Sequence, residues 1–389
     1  MTEPAPEIHE ESGRPTRRLF LAGAAAFLSG CEMQAPQIVA RGRVKAGLLL
    51  PGGGGDARNA ALAEALANAA RMAASDLDRV TVDLVTGATA AKPEGAAAAA
   101  RSLAGQGVQV ALGPVYSATS KAAAAALAGR GINTLSFSNN PRIAGGNLFI
   151  LGITFESTAG AVLAEGLREG RQQAMLVRPR NLQGKIAEEA VATVAGRLGM
   201  ALAPSQSYTF SQKGVIDAVR PIADAVKEYG VDLLLFASDT AGALPILVEL
   251  LPENGVDPAE VRFAGLTRWD IPPQTLALKG VQGGWFALPD PAFHQPFVDR
   301  YKARYGTLPH PIAGLAYDGV AAIGALAGSG RSAISRKALT DPAGFVGVNG
   351  IFRFRADGTC ERGLAVATIR DRKVEILTPA PRRFDDATV

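Results

Sequence analysis

A hydroxyl-rich stretch, residues 116–120, opens a predicted helix directly after a buried apolar strand. A second polar stretch, residues 136–140, follows the next predicted strand. Unpaired backbone N–H groups at the start of a helix favour an anion, and the carboxylate of a small ligand is a natural occupant of such a place. A structural alternative stays open, because Ser117 or Thr119 could cap the helix and the second stretch could form a turn at Asn140.

A glycine-rich loop, residues 52–57, fits the pattern GxGxxA between a predicted strand and a predicted helix. This is the context of a dinucleotide-binding turn, which also needs an acidic residue at the end of the second strand to hold the ribose. The only acidic residue nearby, Asp83, lies inside that strand, and Pro51 stiffens the entry to the loop. We therefore interpret the loop as the mouth of a cleft and predict no cofactor.

The common signatures of catalysis are missing from the sequence, which has no GxSxG nucleophile elbow, no HExxH motif and no CxxC pair. His294 and His310 lie close to prolines in segments typical of surface connections, so we predict that both face solvent. Cys360 follows a turn-like Asp-Gly-Thr run with no catalytic partner nearby, and is predicted to be a small structural residue. We predict neither an enzyme nor a metal site.

Charge is distributed along the whole chain. Lys and Arg number 40 and Asp and Glu number 36, which gives a formal net charge of +4. The sequence contains no block of Lys and Arg with interleaved aromatic residues, so it lacks the electrostatic pattern of a nucleic-acid-binding protein.

The N-terminal segment has the layout of an export signal. Arg17 and Arg18 precede an apolar run that ends at Cys31, and this run is shorter than the about twenty residues that a spanning helix needs. Residues 16–21 resemble a twin-arginine signal, and residues 28–31 resemble a bacterial lipobox, whose Cys is acylated. We predict an export signal over residues 1–30, a lipid on Cys31 that anchors the protein to a membrane, and a polar tether over 31–43. An ordinary first helix with a buried thiol is the alternative.

Short apolar runs alternate with longer helical patterns along most of the remaining chain. One series covers residues 44–137, and a second begins near Thr154 and ends near residue 266. Strands and helices that alternate at this spacing form βαβ units on a parallel sheet. We therefore predict an α/β protein with two Rossmann-like lobes in succession. After Pro379 the residues lack a period, which predicts a loose tail.

Two segments in the C-terminal third resemble one known family, the type I periplasmic binding proteins. The first runs from the Trp-Phe-Ala after Gly284 to Ala-Tyr-Asp-Gly-Val at 316–320, and the second contains Phe-x-Gly-x-x-Gly at 345–350. The resemblance covers about residues 44–378. It is closest to the leucine/isoleucine/valine-binding branch, which includes lipoproteins related to activators of penicillin-binding proteins.

This resemblance implies that parallel sheets in two lobes are joined by three crossovers, with a ligand between the lobes. The crossovers are expected near residues 151–154, 285–288 and 341–348. The first lobe would then comprise 44–153 and 288–342, the second 154–287 and 343–378, and the tail 379–389.

The resemblance also implies which residues hold the ligand. In the first lobe, the two polar loops would hold the headgroup of an amino acid. In the second lobe, an acidic residue would hold its ammonium group, and Trp269 would be an apolar wall or simply part of the core. The ligand-binding residues predicted in this way are Tyr116, Ser117, Ser138, Asn139, Asp239, Trp269 and Asp270.

The function implied by the resemblance is that of an extracytoplasmic solute receptor. Its ligand would be a branched-chain amino acid or a similar small polar solute, and its partner the permease of an ABC transporter. The alternative is a docking lipoprotein that activates a penicillin-binding protein, in which case the partner is a peptidoglycan synthase.

Overall fold

The first sheet is wholly parallel and has the strand order β2-β1-β3-β4-β5. The structure is a computed structural model that describes residues 42–238, 240–330 and 334–384. The predicted export signal, tether and lipid site at Cys31 therefore lie outside the described residues, except for the last two residues of the tether. The strands are β1 (Gly42–Leu50), β2 (Val80–Ala88), β3 (Val110–Leu112), β4 (Asn133–Ser136) and β5 (Leu148–Ile150), and the helices are α1 (Ala57–Ser75), α2 (Pro93–Gly105) and α3 (Ser117–Ala128).

The second sheet begins with parallel strands that continue the βαβ alternation. Its apolar runs, such as Leu233–Phe236, are buried on both faces by helices, as expected for parallel strands. The strands are β6 (Gln173–Pro179), β7 (Ala201–Leu202), β8 (Gln206–Tyr208), β9 (Leu233–Phe236), β10 (Arg262–Gly265) and β11 (Trp285–Leu288). The helices are α4 (Phe155–Arg168), α5 (Leu182–Leu198), α6 (Gln212–Glu228) and α7 (Ala243–Glu253).

The remaining elements return to the first lobe and then back to the second. Helix α9 packs against α1 on one face of the first sheet, while α2 and α3 cover the other face. The helices are α8 (Pro291–Tyr305), α9 (Ala313–Gly328) and the short α10 (Arg336–Leu339). Strands β12 (Phe345–Gly347), β13 (Gly350–Phe354) and β14 (Cys360–Arg362) form a small antiparallel sheet, and β15 (Ala365–Arg370) and β16 (Lys373–Thr378) extend the second sheet beyond β11.

The predicted α/β fold with two lobes is confirmed, with one antiparallel edge on the second sheet. The chain passes between the lobes after β5, after β11 and after β14. The third passage was expected at 341–348 but lies at residues 363–364. Phe345, Phe352 and Phe354 explain the shift, because all three are buried in the core of the first lobe. One side of the small sheet therefore packs into the core of the first lobe, and its other side faces α4 of the second lobe.

The segment after Pro379 is packed as far as Phe384, which corrects the expectation of a loose tail. Ala380 and Phe384 are buried, and Arg382 forms an ion pair with Asp290 at 3.0 Å. These contacts are long-range and could not be read from the aperiodic local sequence. None of the helices in the described ranges combines the length and hydropathy of a membrane-spanning segment.

A buried ion pair joins α9 to the small sheet. Arg362 donates from Nη1 to Oδ2 of Asp318 at 2.8 Å, and neither side chain is exposed to solvent. Asn349 adds two hydrogen bonds to the same carboxylate, from its backbone N–H and from Nδ2. Arg362 also donates from Nη2 to the carbonyl of Leu151, in the first passage between the lobes. The carboxylate is thus fully bonded although it is removed from water.

The first glycine of the Phe-x-Gly-x-x-Gly motif, Gly347, is required by this ion pair. A Cβ on Gly347 would collide with the carboxylate of Asp318, and one on Gly314 would lie 2.7 Å from Nδ2 of Asn349. The close approach of α9 to the small sheet therefore requires glycine at these two positions.

Replacement of Arg362 by Leu is expected to lower the free energy of unfolding by about 3–5 kcal/mol, because it leaves the buried charge of Asp318 without its partner. The matched control is Arg370→Leu, which breaks an exposed pair with Glu375 and should cost at most about 1 kcal/mol. Urea unfolding followed by circular dichroism measures both. Equal losses for the two variants would contradict the importance of the buried pair.

Candidate functional site

The strand order places two topological switch points at the carboxyl ends of the sheets. In the first sheet the chain reverses its direction of progress between β1 and β3, and in the second between β6 and β9. Ligands of open α/β sheets bind in the crevice outside the strand ends at such points. The loops to consider are therefore residues 51–56 and 113–117 in the first lobe and residues 180–181 and 237–242 in the second.

Tyr116 links the two loops of the first switch point. It lies at the N-terminus of α3, is 42% exposed, and donates a hydrogen bond from its hydroxyl to Oδ1 of Asn59 at 2.5 Å. Asn59 belongs to the first turn of α1, which Asp56 caps by accepting the backbone N–H of Asn59. The glycine-rich loop thus ends beside Tyr116. Asn59 was not predicted as a site residue, since nothing local marks it.

The two predicted polar stretches come together. The hydroxyls of Ser117 and Ser138 lie 3.3 Å apart, and Asn140 donates from Nδ2 to Ser117 Oγ at 3.1 Å. Below them, Ser120 and Ser136 share a buried hydrogen bond of 2.7 Å. Two of the predicted residues, Ser117 and Ser138, are therefore in direct contact at the carboxyl ends of β3 and β4.

The start of α3 has no side-chain cap. Tyr116 occupies the capping position without bonding to the first turn, and Thr119 instead donates to the Tyr116 carbonyl at 2.8 Å. Capping by Ser117 or Thr119 is therefore not observed. By contrast, the predicted turn is present, since Asn140 accepts the backbone N–H of Arg142. The backbone donors of the first turn of α3 are left for water or an anion.

Asn139 is exposed beside this cluster and makes no hydrogen bond within the described residues through its side chain. Together, Tyr116, Ser117, Ser138 and Asn139 offer hydroxyl and amide groups around an uncapped helix start. This combination suits the carboxylate of a small solute. Cationic side chains are not part of it, so binding would depend on neutral donors.

The second-lobe loops bond mainly to one another. Ser238 accepts a hydrogen bond from the Tyr208 hydroxyl at 3.1 Å, and its carbonyl accepts from Thr267 at 3.2 Å. Thr240 donates to the carbonyl of Ile271 at 2.8 Å. Asp239, predicted as a ligand-binding acid, lies outside the described residues.

Asp270 is already paired. Arg268 donates to it from both Nε, at 2.9 Å, and Nη2, and both side chains are largely buried. A bidentate arginine of this kind satisfies most of the acceptor capacity of a carboxylate. Asp270 is therefore a poor partner for a ligand ammonium group in this arrangement. The signal was present in the sequence as Arg268 two residues earlier.

Trp269 belongs to the core of the second lobe. It has 0% exposure, packs against Phe236 with 6.2 Å between ring centroids, and fills space left by Gly265 and Gly284. Of the two alternatives for this residue, core packing fits the observed position, and the indole does not reach a surface.

The three side chains set aside as non-catalytic occupy different environments, and His310 is exposed, as predicted. Burial raises the pKa of the Cys360 thiol to about 11, which agrees with a structural role. His294 was expected to face solvent, but it lies half-buried in α8 against Phe297, and this burial lowers its pKa. The helix continues through Pro296, so the neighbouring proline did not indicate a surface connection.

Comparison with known proteins gives a consistent result. The model of the periplasmic binding protein family matches residues 43–373. A structure assigned to a branched-chain amino acid ABC transporter of Rhodospirillum rubrum has 20% identity and a TM-score of 0.73, covering 86% of this chain and 100% of that one. The leucine binding protein of Thermotoga maritima has 18% identity and a TM-score of 0.60, with coverages of 88% and 99%.

A third structure comes from Rhodopseudomonas palustris. It is a solute binding protein of an ABC transporter in complex with 3,4-dihydroxybenzoic acid, with 15% identity, a TM-score of 0.60 and coverages of 88% and 97%. No curated protein sequence matches this chain. At these identities the structural likeness establishes the fold.

Replacing Trp269 by Ala is expected to lower the free energy of unfolding by about 3–5 kcal/mol, because it opens a large cavity in the core. Trp269→Phe keeps most of the buried ring and should cost clearly less. Denaturant unfolding measures the free energy of unfolding of both variants. A Trp269→Ala variant as stable as the parent protein would show that the indole is not core.

Proposed function

The chain belongs to the periplasmic binding protein family, and from this premise we propose that it is the extracytoplasmic solute receptor of an ABC transporter. The observation that carries the proposal is the uncapped start of α3, surrounded by Tyr116, Ser117 and Ser138 at the first switch point. A receptor needs such a preformed group of donors, since ordering loops during binding costs affinity.

We propose a small carboxylate as the ligand, of which branched-chain amino acids are one class. The neutral donors of the first lobe suit a carboxylate, but the pairing of Asp270 with Arg268 argues against strict recognition of an ammonium group. One solved relative is a leucine binding protein, and another holds 3,4-dihydroxybenzoic acid. Carboxylates with and without an amino group therefore belong in the same screen.

Binding would work through closure of the lobes about the three passages. A ligand that is held by the first-lobe donors and also touches the second-lobe loops stabilises the conformation in which both contacts form. The second-lobe contribution would come from the loops around Ser238 and Thr267, which are mutually braced. The transporter would recognise the closed form.

Stimulation of a peptidoglycan synthase is the competing hypothesis. It requires a protein-binding surface but no ligand in the cleft. Crosslinking in intact cells separates the two, because a receptor is recovered with its permease and an activator with a synthase.

In a thermal-shift and calorimetry screen of amino acids and aromatic carboxylates, at least one ligand is expected to raise the melting temperature. At a concentration 100-fold above its Kd, the ligand raises the free energy of unfolding by about 2.7 kcal/mol. Ser117→Ala and Ser138→Ala should each weaken binding of that ligand about tenfold or more, because a hydrogen bond to a charged group contributes about 1.5–3 kcal/mol.

The control for this screen is Ser329→Ala, at the end of α9, whose hydroxyl donates to the carbonyl of Leu326 in the last turn of that helix, away from the first-lobe donors. Its affinity for the ligand should equal that of the parent protein. The receptor proposal fails if no carboxylate raises the melting temperature, or if all three serine variants bind equally well.

We further propose that the protein is exported by the twin-arginine route and anchored to a membrane through a lipid on Cys31. Either partner, a permease or a peptidoglycan synthase, is membrane-embedded, so both hypotheses need this anchor. Cys31→Ser is expected to move the protein from the membrane fraction to the soluble extracytoplasmic fraction. Cys360→Ser, which removes the other thiol, should leave it membrane-bound. Arg17→Lys with Arg18→Lys should block export. Fractionation and mass spectrometry of the N-terminal peptide test this, and a membrane-bound Cys31→Ser protein would refute the anchor.

A further inference from the structure

A cavity of about 850 Å³ lies where the second lobe faces the small sheet, away from the loops of both switch points. It is open to solvent and is bounded by helix α4, the end of α5, the small sheet and the segment after β16. Its volume falls in the range of about 300–1,000 Å³ that is usual for small-molecule sites. The solute receptor function proposed above does not use it.

The floor of this cavity is apolar and formed by small residues. Helix α4 presents Gly160, Ala161 and Ala164 to it, and Leu364 and Val366 contribute from the strand side. The small residues of α4 leave space that larger side chains would fill. A hydrocarbon or aromatic group placed there would leave water, which is favourable by about 25 cal/mol per Å² of buried apolar surface.

One rim of the cavity carries three arginines that share two carboxylates. Glu156 pairs with Arg355 at 2.6 Å and with Arg197 at 3.5 Å. Glu361 pairs with Arg353 at 2.8 Å and with Arg355 at 3.6 Å. The cluster therefore has an excess of one positive charge. All five side chains are partly exposed, so they remain accessible to a ligand.

The wall of the cavity also includes Arg362, whose side chain is fully buried. Its Nη atoms hold Asp318 and the carbonyl of Leu151, but its Nε is buried and has no hydrogen-bond partner within the described chain. This side chain points into the junction with the first lobe and has no solvent-accessible surface, so a ligand in the cavity would not reach it. The cationic contacts for a ligand would come from the three rim arginines.

We propose that this cavity is a second ligand site, which takes a small amphiphilic carboxylate with its headgroup on the arginine rim and its apolar body on α4. A planar guanidinium group can bind a carboxylate through two parallel hydrogen bonds, and the single excess positive charge of the rim matches a monoanion. The apolar floor selects for a body of several carbon atoms. The site is separate from the cleft, since none of the switch-point loops lines it.

Isothermal titration calorimetry of the whole protein with decanoate, below its micelle concentration, tests the proposal. Decanoate is expected to bind with one-to-one stoichiometry. Decanol, which has the same body without the charge, and acetate, which has the charge without the body, should each bind at least tenfold more weakly. Equal affinities for decanoate and decanol would overturn the proposal.

Two variants locate the binding. Arg355→Gln removes the arginine that contacts both carboxylates and should weaken decanoate binding at least tenfold. Ala164→Leu fills the apolar floor and should also weaken decanoate binding at least tenfold, without a change of charge. The matched control is Arg370→Gln, which removes an exposed arginine outside the cavity and should change affinity less than twofold. Melting curves verify that each variant is folded.

Equal affinities of Arg355→Gln and Arg370→Gln for decanoate would mean that decanoate binds elsewhere, for example in the cleft, and would overturn the proposal. The protein's own C-terminus is the competing occupant, because residues 385–386 are both acidic and directly follow Phe384 in the cavity lining. A chain shortened to end at Phe384 tests for this. Its affinity should lie within twofold of the parent protein. Binding by the shortened chain alone would mean that the cavity serves the protein's own C-terminus.

Discussion

Asp318 on α9 and Arg362 on β14 form an ion pair from which water is excluded. Burying two charges in this way requires good geometry and further hydrogen bonds to the buried groups. Asn349 donates two such bonds to the carboxylate of Asp318, and the carbonyl of Leu151 accepts one from Arg362, whose Nε stays unbonded within the described residues. The pair thereby fixes the first lobe, the small sheet and the first passage between the lobes relative to one another.

The two lobes are prepared for a ligand to different degrees. In the first, Ser117, Ser138 and Asn140 hold one another in place beside an uncapped helix start, so donors are already oriented. In the second, the polar groups near the switch point are used internally, and Asp270 is taken by Arg268. Under the proposed receptor function, the first lobe would make the initial contact with the ligand and the second lobe would close on it.

Successive side chains of a strand point to opposite faces of the sheet, and both faces of the small sheet make contacts that matter here. On β14, Cys360 and Arg362 point into the junction with the first lobe, whereas Glu361 lies between them and pairs with Arg353 and Arg355 at the cavity rim. One short sheet thus supports both the buried ion pair and the cationic rim of the second cavity. A ligand at the rim would contact the same strands that hold Asp318.

The sequence by itself determined the alternation of strands and helices, the two lobes and the loops that hold Ser117 and Ser138. These follow from local periodicity and from the rule that site loops lie at strand ends. Only the tertiary structure decided the third passage, the packing of Phe384, the burial of Trp269 and the contact between Asn59 and Tyr116. Each of these depends on which distant side chain is nearest, and local sequence does not encode that distance.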